Sequence, residues 1–379
     1  MIKSLARLKT LKNQSPLPRA LQQLVHWFQC KQRDLPWRDQ PSYYRVWVSE
    51  IMLQQTQVVS VIPYFERFMA RFPDLESLAR APLEEVLLLW AGLGYYSRAR
   101  NLHQGAKKLL EFWGETGQFP KTRAQWLEIP GVGQYTAGAV LSIAGNYPEP
   151  LLDGNVERVL SRVRRVGSAA GQAIYKKRLW RLSTLVVQGG YSLGLLPSQL
   201  NQALMELGAT ICTPKKPQCG HCPISSVCRA HQMRVEQEYP PKKKPKSWVR
   251  VEETRYCILN SQAEVLLTQS PQGKWRAGLW DLLEFCPRVK KGKLLTLGEM
   301  ESEHVVTRHK IRRLTHVLRL QGSAEKEILT HLMSQDSGET HPVQWAWVSL
   351  RTPGVPMGAA LKKNLKAVIQ RYPGVLQES

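Results

Sequence analysis

The segment from Leu127 to Val159, LEIPGVGQYTAGAVLSIAGNYPEPLLDGNVERV, leaves this chain the fewest choices. A short helical stretch breaks at Pro130-Gly131-Val132-Gly133, and a helix of small residues resumes over Gln134–Ile143. Glycines at Gly131 and Gly133 let the backbone turn sharply and come close to another surface. The amides that open the following helix have no partner inside it, so they suit an anion such as a phosphate. The pattern predicts a hairpin of two helices with a phosphate-sized notch between them. Asp153 follows closely, in a loop just ahead of a helix expected over Val156–Val166. GVG alone is weak, because tight turns use it widely. The hairpin joined to an aspartate at this distance is a much stronger signal.

At 379 residues the chain has room for two or three domains with real cores, and 43% apolar content with 12 tryptophans predicts a folded globular protein. A formal charge of +23 fits either a well-solvated surface or a polyanionic partner, nucleic acid before membrane. No apolar run approaches the roughly 18 residues of a spanning helix, so no membrane association is expected. The basic opening, MIKSLARLKTLKNQS, lacks an apolar core and a small-residue cleavage site, which argues against a secretory signal; a transit peptide stays open. Cysteines number seven, and four fall between Cys212 and Cys228. That clustering points to metal ligation in a reducing compartment rather than to disulfides.

Leu21, Leu24, Val25 and Phe28 share one face of a helix over Pro18–Gln29. Ser49 reads as an N-cap that sets Glu50 in the first turn of a helix reaching about Ser60, and Pro63 suits the first position of the next. Further helices are expected at Leu83–Ala91, Ser97–Phe112 and Ala124–Glu128, so residues 18–234 read as one helical domain. A proline- and lysine-rich linker over 235–250 follows. Beyond it the periodicity changes: TRYCILN and EVLLTQ form a hairpin pair around Ser261–Ala263, Lys310–Leu320 and Gln344–Leu350 are further strands, and Met357–Arg371 is a closing helix. Residues 251–379 thus read as a separate α+β domain.

A glutamate in a first turn is ordinary, since the helix dipole favours it there. The apolar neighbours of Glu50 (Trp47, Ile51, Leu53) suggest partial burial, which raises a carboxyl pKa and suits a general acid. Cys212, Cys219, Cys222 and Cys228, spaced C-x6-C-x2-C-x5-C, could hold zinc or an iron–sulfur cluster; zinc ribbons usually offer two C-x2-C pairs, and this offers one. Cys30, Cys257 and Cys286 read as small buried or half-buried hydrophobes.

SEIMLQQTQV, LWAGLGYYSRARNLH, IPGVGQYTAG, DGNVERVLSR and NQALMELGA occur in this order, and together they resemble the adenine-DNA glycosylases of the MutY type. The resemblance runs from about residue 20 onward and is most specific in the helical part. It implies a multidomain protein: an all-α helix-hairpin-helix glycosylase domain with an iron–sulfur loop, and a Nudix-like α+β C-terminal domain that checks for 8-oxoguanine. It implies a [4Fe-4S] cluster on the four cysteines, with Lys215 and Lys216 facing phosphate. The expected substrate is double-stranded DNA with adenine opposite 8-oxoguanine or guanine, and the expected enzyme a monomer in the cytoplasm, at the nucleoid of a bacterium or in a eukaryotic nucleus.

Carried over by residue, the resemblance makes Glu50 the acid that protonates extruded adenine and Asp153 the carboxylate that stabilises the charged sugar. Tyr135 stands where related glycosylase-lyases hold a Schiff-base lysine; a phenol cannot make that imine, so monofunctional hydrolysis is expected, with Tyr135 orienting Asp153 and a water. Asn155 and Arg38 lie near the same pocket and Arg33 beside the adenine, although both arginines equally fit surface charges. Gln55, Leu53 and Tyr95 match residues inserted into or beside the base stack, with a core role open for Leu53 and Tyr95. Glu206 matches a pocket residue, and Gly131 and Gly133 form the hairpin turn. The family's Phe-Ser/Thr-His recognition loop is represented by Leu314-Thr315-His316, its aromatic wedge replaced by leucine. No REXXEE sequence is present, so pyrophosphatase activity is not expected. Rival readings are a thymine or oxidised-pyrimidine glycosylase on the same scaffold, and a non-catalytic lesion binder or iron–sulfur redox sensor. The second has no need of paired carboxylates.

Overall fold

The computed structural model describes residues 16–168, 171–242, 247–271, 276–290, 292–322, 324–335 and 344–376. The basic opening and residues 243–246 of the expected linker, with three of its lysines, lie outside them. The chain divides into two compact units, residues 1–79 with 104–244, and residues 80–103 with 245–379.

The first unit is helical. α1 (Pro16–Lys31) buries Leu21, Leu24, Val25 and Phe28 on the expected face. α2 (Tyr43–Leu53) corrects the sequence reading. Its N-cap is Ser42, whose Oγ accepts from the Arg45 amide at 3.2 Å, while the Ser49 hydroxyl donates back to the Val46 carbonyl at 2.9 Å. Glu50 is therefore near the end of its helix, not in the first turn, and the favourable dipole does not apply to it. Packing decides this: Trp47 and Val48 are fully buried, and the Tyr44 hydroxyl donates to the Phe72 carbonyl at 2.8 Å. The helix stops at Leu53 rather than near Ser60, and α3 (Val58–Arg71) holds Pro63 inside it instead of at its start. The unit continues through α4 (Leu75–Arg80), most of α6 (Ser97–Thr116), α7 (Arg123–Leu127), α8 (Gln134–Ile143), α9 (Gly154–Arg164), α10 (Gln172–Tyr191), α11 (Pro197–Thr210) and the short α12 (Arg229–Gln232). α9 starts two residues earlier than expected because Asp153 itself caps it.

The second unit contains α5 (Leu83–Trp90), the start of α6 and a mixed six-stranded sheet. Its strands are β1 (Val249–Leu259), β2 (Glu264–Gln269), β3 (Trp280–Leu282), β4 (Leu294–Val306), β5 (His309–Leu320) and β6 (Trp345–Ser349), in the order β3-β2-β1-β5-β4 with β6 also on β2. β1 and β5 run parallel; the other pairs are antiparallel. Side chains alternate along β1, so Cys257 and Leu259 pack with α14 (Ala359–Arg371), and Ile258 packs with α13 (Glu325–Gln335) on the opposite face. β3, β4 and α13 were not expected. On the α14 face, Arg313 is 1% exposed and bonds Asp281 at 2.8 Å and Glu253 at 2.9 Å, with Arg276 reaching both carboxylates. Cys257 is buried as expected, but Cys30 and Cys286 are exposed, on the outer side of α1 and in the loop after β3. No helix among the described residues is long and apolar enough to cross a membrane.

Candidate active site

The hairpin forms where the sequence places it. Thr122 and Gln125 build a reciprocal capping box at the start of α7. Gly131 takes φ +79°, open to few residues but glycine. Gly133 has an ordinary φ and serves as the N-cap of α8, without a side-chain cap and with open space beside it. The amides of that first turn have no partner within the helix and no side-chain cap, as an anion site needs. The remainder of α8 is buried from Thr136 to Ile143, and a Cβ on Gly138 would lie 2.1 Å from the Pro150 carbonyl. Small residues let the following segment pass close enough to bring Asp153 alongside.

Glu50, Tyr135, Asp153 and Asn155 meet in one cavity of about 490 Å³, with Arg33, Arg38, Leu53, Gln55 and Glu206 on its walls. Glu50 is 4% exposed, and the Tyr135 hydroxyl donates to its Oε2 at 2.5 Å. Burial pushes the Glu50 carboxyl up to about 7, and nearby Asp153 adds to the rise; the Tyr135 bond and Arg38 oppose it. Burial, with Glu50 and Asp153 beside it, holds the Tyr135 phenol well above its usual range and keeps it a donor. The Tyr135 bond goes to Glu50, not to Asp153 as the sequence reading had it. Asp153 caps α9: Oδ1 accepts from the Val156 amide at 2.7 Å and Oδ2 from Asn155 Nδ2 at 2.9 Å. Burial raises its pKa, against those bonds and Arg158.

Glu206 is not free to meet a substrate. It is 1% exposed, and both carboxylate oxygens are engaged by Arg33 (2.6 and 3.0 Å) and Arg38 (2.8 Å). Burial would raise its pKa, but those arginines outweigh it and hold the carboxylate ionised. The two arginines form a clamp on the cavity wall rather than scattered surface charges. Leu53 is half-buried and Gln55 exposed. Gln55 takes φ +57° and Tyr95, in the second unit, φ +50°. Non-glycine residues held in this region cost about 1 kcal/mol or more, a strain that clusters at working surfaces.

Cys212, Cys219, Cys222 and Cys228 line one small hollow with Arg162, His231 and Glu236. Burial lifts the Cys219 thiol to about 11 and Cys222 to about 12, and neighbouring thiols add to both. Around one zinc, sulfurs sit about 3.8 Å apart, given a Zn–S bond of about 2.3 Å. Among the described residues, the only three metal-competent ligand atoms within 4.8 Å of one another belong to Cys219, His231 and Glu236. No three of the four sulfurs come within that reach of one another, a wider spread than one zinc requires. Sequence reasoning missed two residues here, Arg158 and Arg162, one helical turn apart in DGNVERVLSR. Arg162 is 2% exposed and donates to Cys212 Sγ at 3.2 Å and the Thr213 carbonyl at 2.8 Å. Arg158 donates to the Cys212 carbonyl at 2.7 Å and to Asn155 Oδ1 at 2.8 Å, so a hydrogen-bonded chain runs from the cysteine loop to Asp153.

The segment matched to the family's recognition loop lies inside the strand expected over Lys310–Leu320. Leu314, Thr315 and His316 lie within β5, between β1 and β4. Thr315 is fully buried and its hydroxyl accepts from Asn364 Nδ2 at 2.9 Å. His316 stacks on Tyr256 at 5.0 Å and pairs with Glu299 at 3.0 Å. The open feature of this unit is the β4–β5 turn, where Thr307 holds φ +55°. Thr307 lines a cavity of about 440 Å³ with Tyr95, Tyr96, Arg276, Trp280 and the first turn of α14. No turn signal was visible there because β4 itself was not recognised.

Residues 48–183 match the HhH-GPD superfamily of base excision DNA repair proteins, and residues 212–228 match the iron–sulfur binding domain of endonuclease III. The adenine DNA glycosylase of Homo sapiens is 40% identical over 313 residues, a match covering 68% of this chain and 56% of that protein. That of Rattus norvegicus is 49% identical over 224 residues, covering 56% and 42%. The chain thus spans about half the length of these mammalian relatives. For the adenine DNA glycosylase of Buchnera aphidicola subsp. Schizaphis graminum the identity is 35% over 270 residues, covering 71% of this chain and 76% of that one.

Proposed function

The chain belongs to the adenine DNA glycosylase family, and from that premise we propose that it is a monofunctional base-excision enzyme. It hydrolyses the N-glycosidic bond of adenine mispaired with 8-oxoguanine or guanine in double-stranded DNA, acting as a monomer and leaving an abasic site. The observation that carries this is the convergence of Glu50 and Asp153, both buried, in one cavity beside Tyr135. Protonated Glu50 gives its proton to the extruded adenine, which turns a poor leaving group into a neutral one as the C1′–N bond breaks. Asp153 as carboxylate meets the positive charge that develops on the deoxyribose. A water then supplies hydroxyl to C1′ and gives its remaining proton to the Glu50 carboxylate, which restores the acid. Tyr135 holds Glu50 in place and offers no amine for an imine.

Four ligands, Cys212, Cys219, Cys222 and Cys228, hold a [4Fe-4S] cluster, which when bound cross-links the loop that carries Lys215 and Lys216. Both lysines are exposed. Replacing the pair by alanine reduces the slope of log K against log salt for DNA binding by about two. An unchanged slope in a titration series would mean that they face away from phosphate.

The second unit, a mixed sheet with a helix on each face, supports a Nudix-like module that checks the base opposite adenine. That contact falls to Tyr95 and the turn at Thr307, since the Thr315 hydroxyl is occupied.

The test is single-turnover cleavage of duplexes with adenine opposite 8-oxoguanine, G, C or T, developed with and without alkali. Adenine loss limited to the first two and visible only after alkali is the expected result. Strand breaks before alkali, or capture of the enzyme on DNA by borohydride, would overturn the monofunctional chemistry. Tight binding without base release would favour a lesion binder.

A further inference from the structure

We propose that Arg123 is a positioning residue that ties the hairpin to the irregular segment leading into Asp153, and so fixes where that carboxylate stands; this rests on the role given to Asp153 above. Residues 146–153 form neither helix nor strand, yet three successive carbonyls are each pinned by a side chain from a different helix. Asn201 Nδ2 on α11 donates to the Glu149 carbonyl at 2.9 Å, Arg123 on α7 to the Pro150 carbonyl at 2.7 Å, and Ser183 Oγ on α10 to the Leu151 carbonyl at 2.7 Å. Asn201 and Ser183 are fully buried. Irregular backbone held at three consecutive points behaves as a strut.

Arg123 alone of the three also reaches the hairpin. Nη1 donates to the backbone and side-chain oxygens of Gln134, the first residue of α8, at 2.7 and 3.1 Å. Nε and Nη2 pair with Glu149 at 2.8 and 2.6 Å, and the guanidinium lies 5.7 Å from the Trp180 ring centre. With the Pro150 bond, all three nitrogens of the guanidinium are engaged. The fork spans α7, the anion-facing start of α8 and the strut. A lysine has no fork and could hold only part of this. Phosphate bound at the hairpin is thereby kept at a set distance from Asp153, and catalysis is sensitive to such distances: an error of about 1 Å can cost about a hundredfold.

The test uses the full chain with its cluster, as wild type, Arg123→Met, Arg123→Lys and Glu149→Gln. Single-turnover release on an A:8-oxoguanine duplex is compared with affinity for the same duplex bearing a non-hydrolysable 2′-fluoro adenosine. Arg123→Met is expected to lower the rate about 10- to 100-fold with affinity changed less than about threefold, Arg123→Lys to recover part of it, and Glu149→Gln to stay near wild type. The alkaline limb of the pH–rate profile, set by Glu50, stays in place in every variant. An unchanged rate in Arg123→Met, or an affinity loss as large as the rate loss, overturns the proposal. If Arg123→Met does not fold, Arg123→Lys at the wild-type rate does the same. A wild type that releases no adenine would instead bring down the function proposed above.

Discussion

Glu50→Gln lowers adenine release by about three orders of magnitude, within the range for loss of a general acid, and leaves the protein more stable at pH 8 than the wild type. Both effects have one cause. Burial raises the carboxyl from its ordinary 4.5 to about 7, so near neutrality much of it still carries the proton that adenine needs. Above pH 7 the wild-type rate drops about tenfold per unit as that proton is lost. For stability the sign follows from which state holds the proton. Between pH 4.5 and about 7 the folded chain keeps a proton that the unfolded chain has released. The stabilisation is fully present below the lower value and is lost as pH rises through the upper one. By pH 8 the buried carboxylate costs roughly 3 kcal/mol. Glutamine has no charge to bury and still accepts from Tyr135. Melting curves at pH 5 and pH 8 check this: the variant gains at pH 8, and the gain shrinks at pH 5. A variant less stable than wild type at pH 8 would refute the account of Glu50.

Asp153→Asn stops base release to a similar extent, by about a thousandfold, but with almost no change in melting temperature or in affinity for the duplex. Asparagine caps a helix as well as aspartate does, so the bond to the Val156 amide and the start of α9 survive. What is lost is the negative charge opposite the sugar, together with the bond that Oδ2 accepts from Asn155 Nδ2. Asp153→Ala separates the two duties further, since it also loses the cap and about 1 kcal/mol with it. Rate, affinity and thermal melting on the two variants form the check. Release by Asp153→Asn within tenfold of wild type would mean that hydrogen bonding, not charge, is what the sugar requires.

The hairpin and Asp153 were legible because their signals are local: a glycine turn, a small-residue helix and a capping aspartate need only their neighbours. Glu50 was legible as chemistry but not as position. Ser42 and Ser49 are equally good caps in isolation, and the burial of Trp47 and the Tyr44–Phe72 bond choose between them. The clamp on Glu206 was hidden because its arginines come from the far end of the chain's helical part. β4 escaped notice because it is an edge strand, LLTLGEMESEHVV, and edges carry charges where inner strands carry apolar residues. β5 itself was legible as a strand over Lys310–Leu320, but with β4 unseen its neighbour on that side was not, so the pairing of His316 with Glu299 stayed hidden.

Arg313 gives the sheet something that apolar packing cannot. β1 and β5 are both rich in alternating residues, and Leu or Val at one position would pack nearly as well two positions along. A slip by one residue, however, would carry Arg313 to the α13 face, away from Asp281 and Glu253, leaving its own buried charge unpaired and Arg276 to serve both carboxylates. The ion network thus acts as a key that only one alignment of the two parallel strands can turn. Substitutions at Arg313, Asp281 and Glu253 are therefore expected to survive in descendants of this sequence only when they occur together.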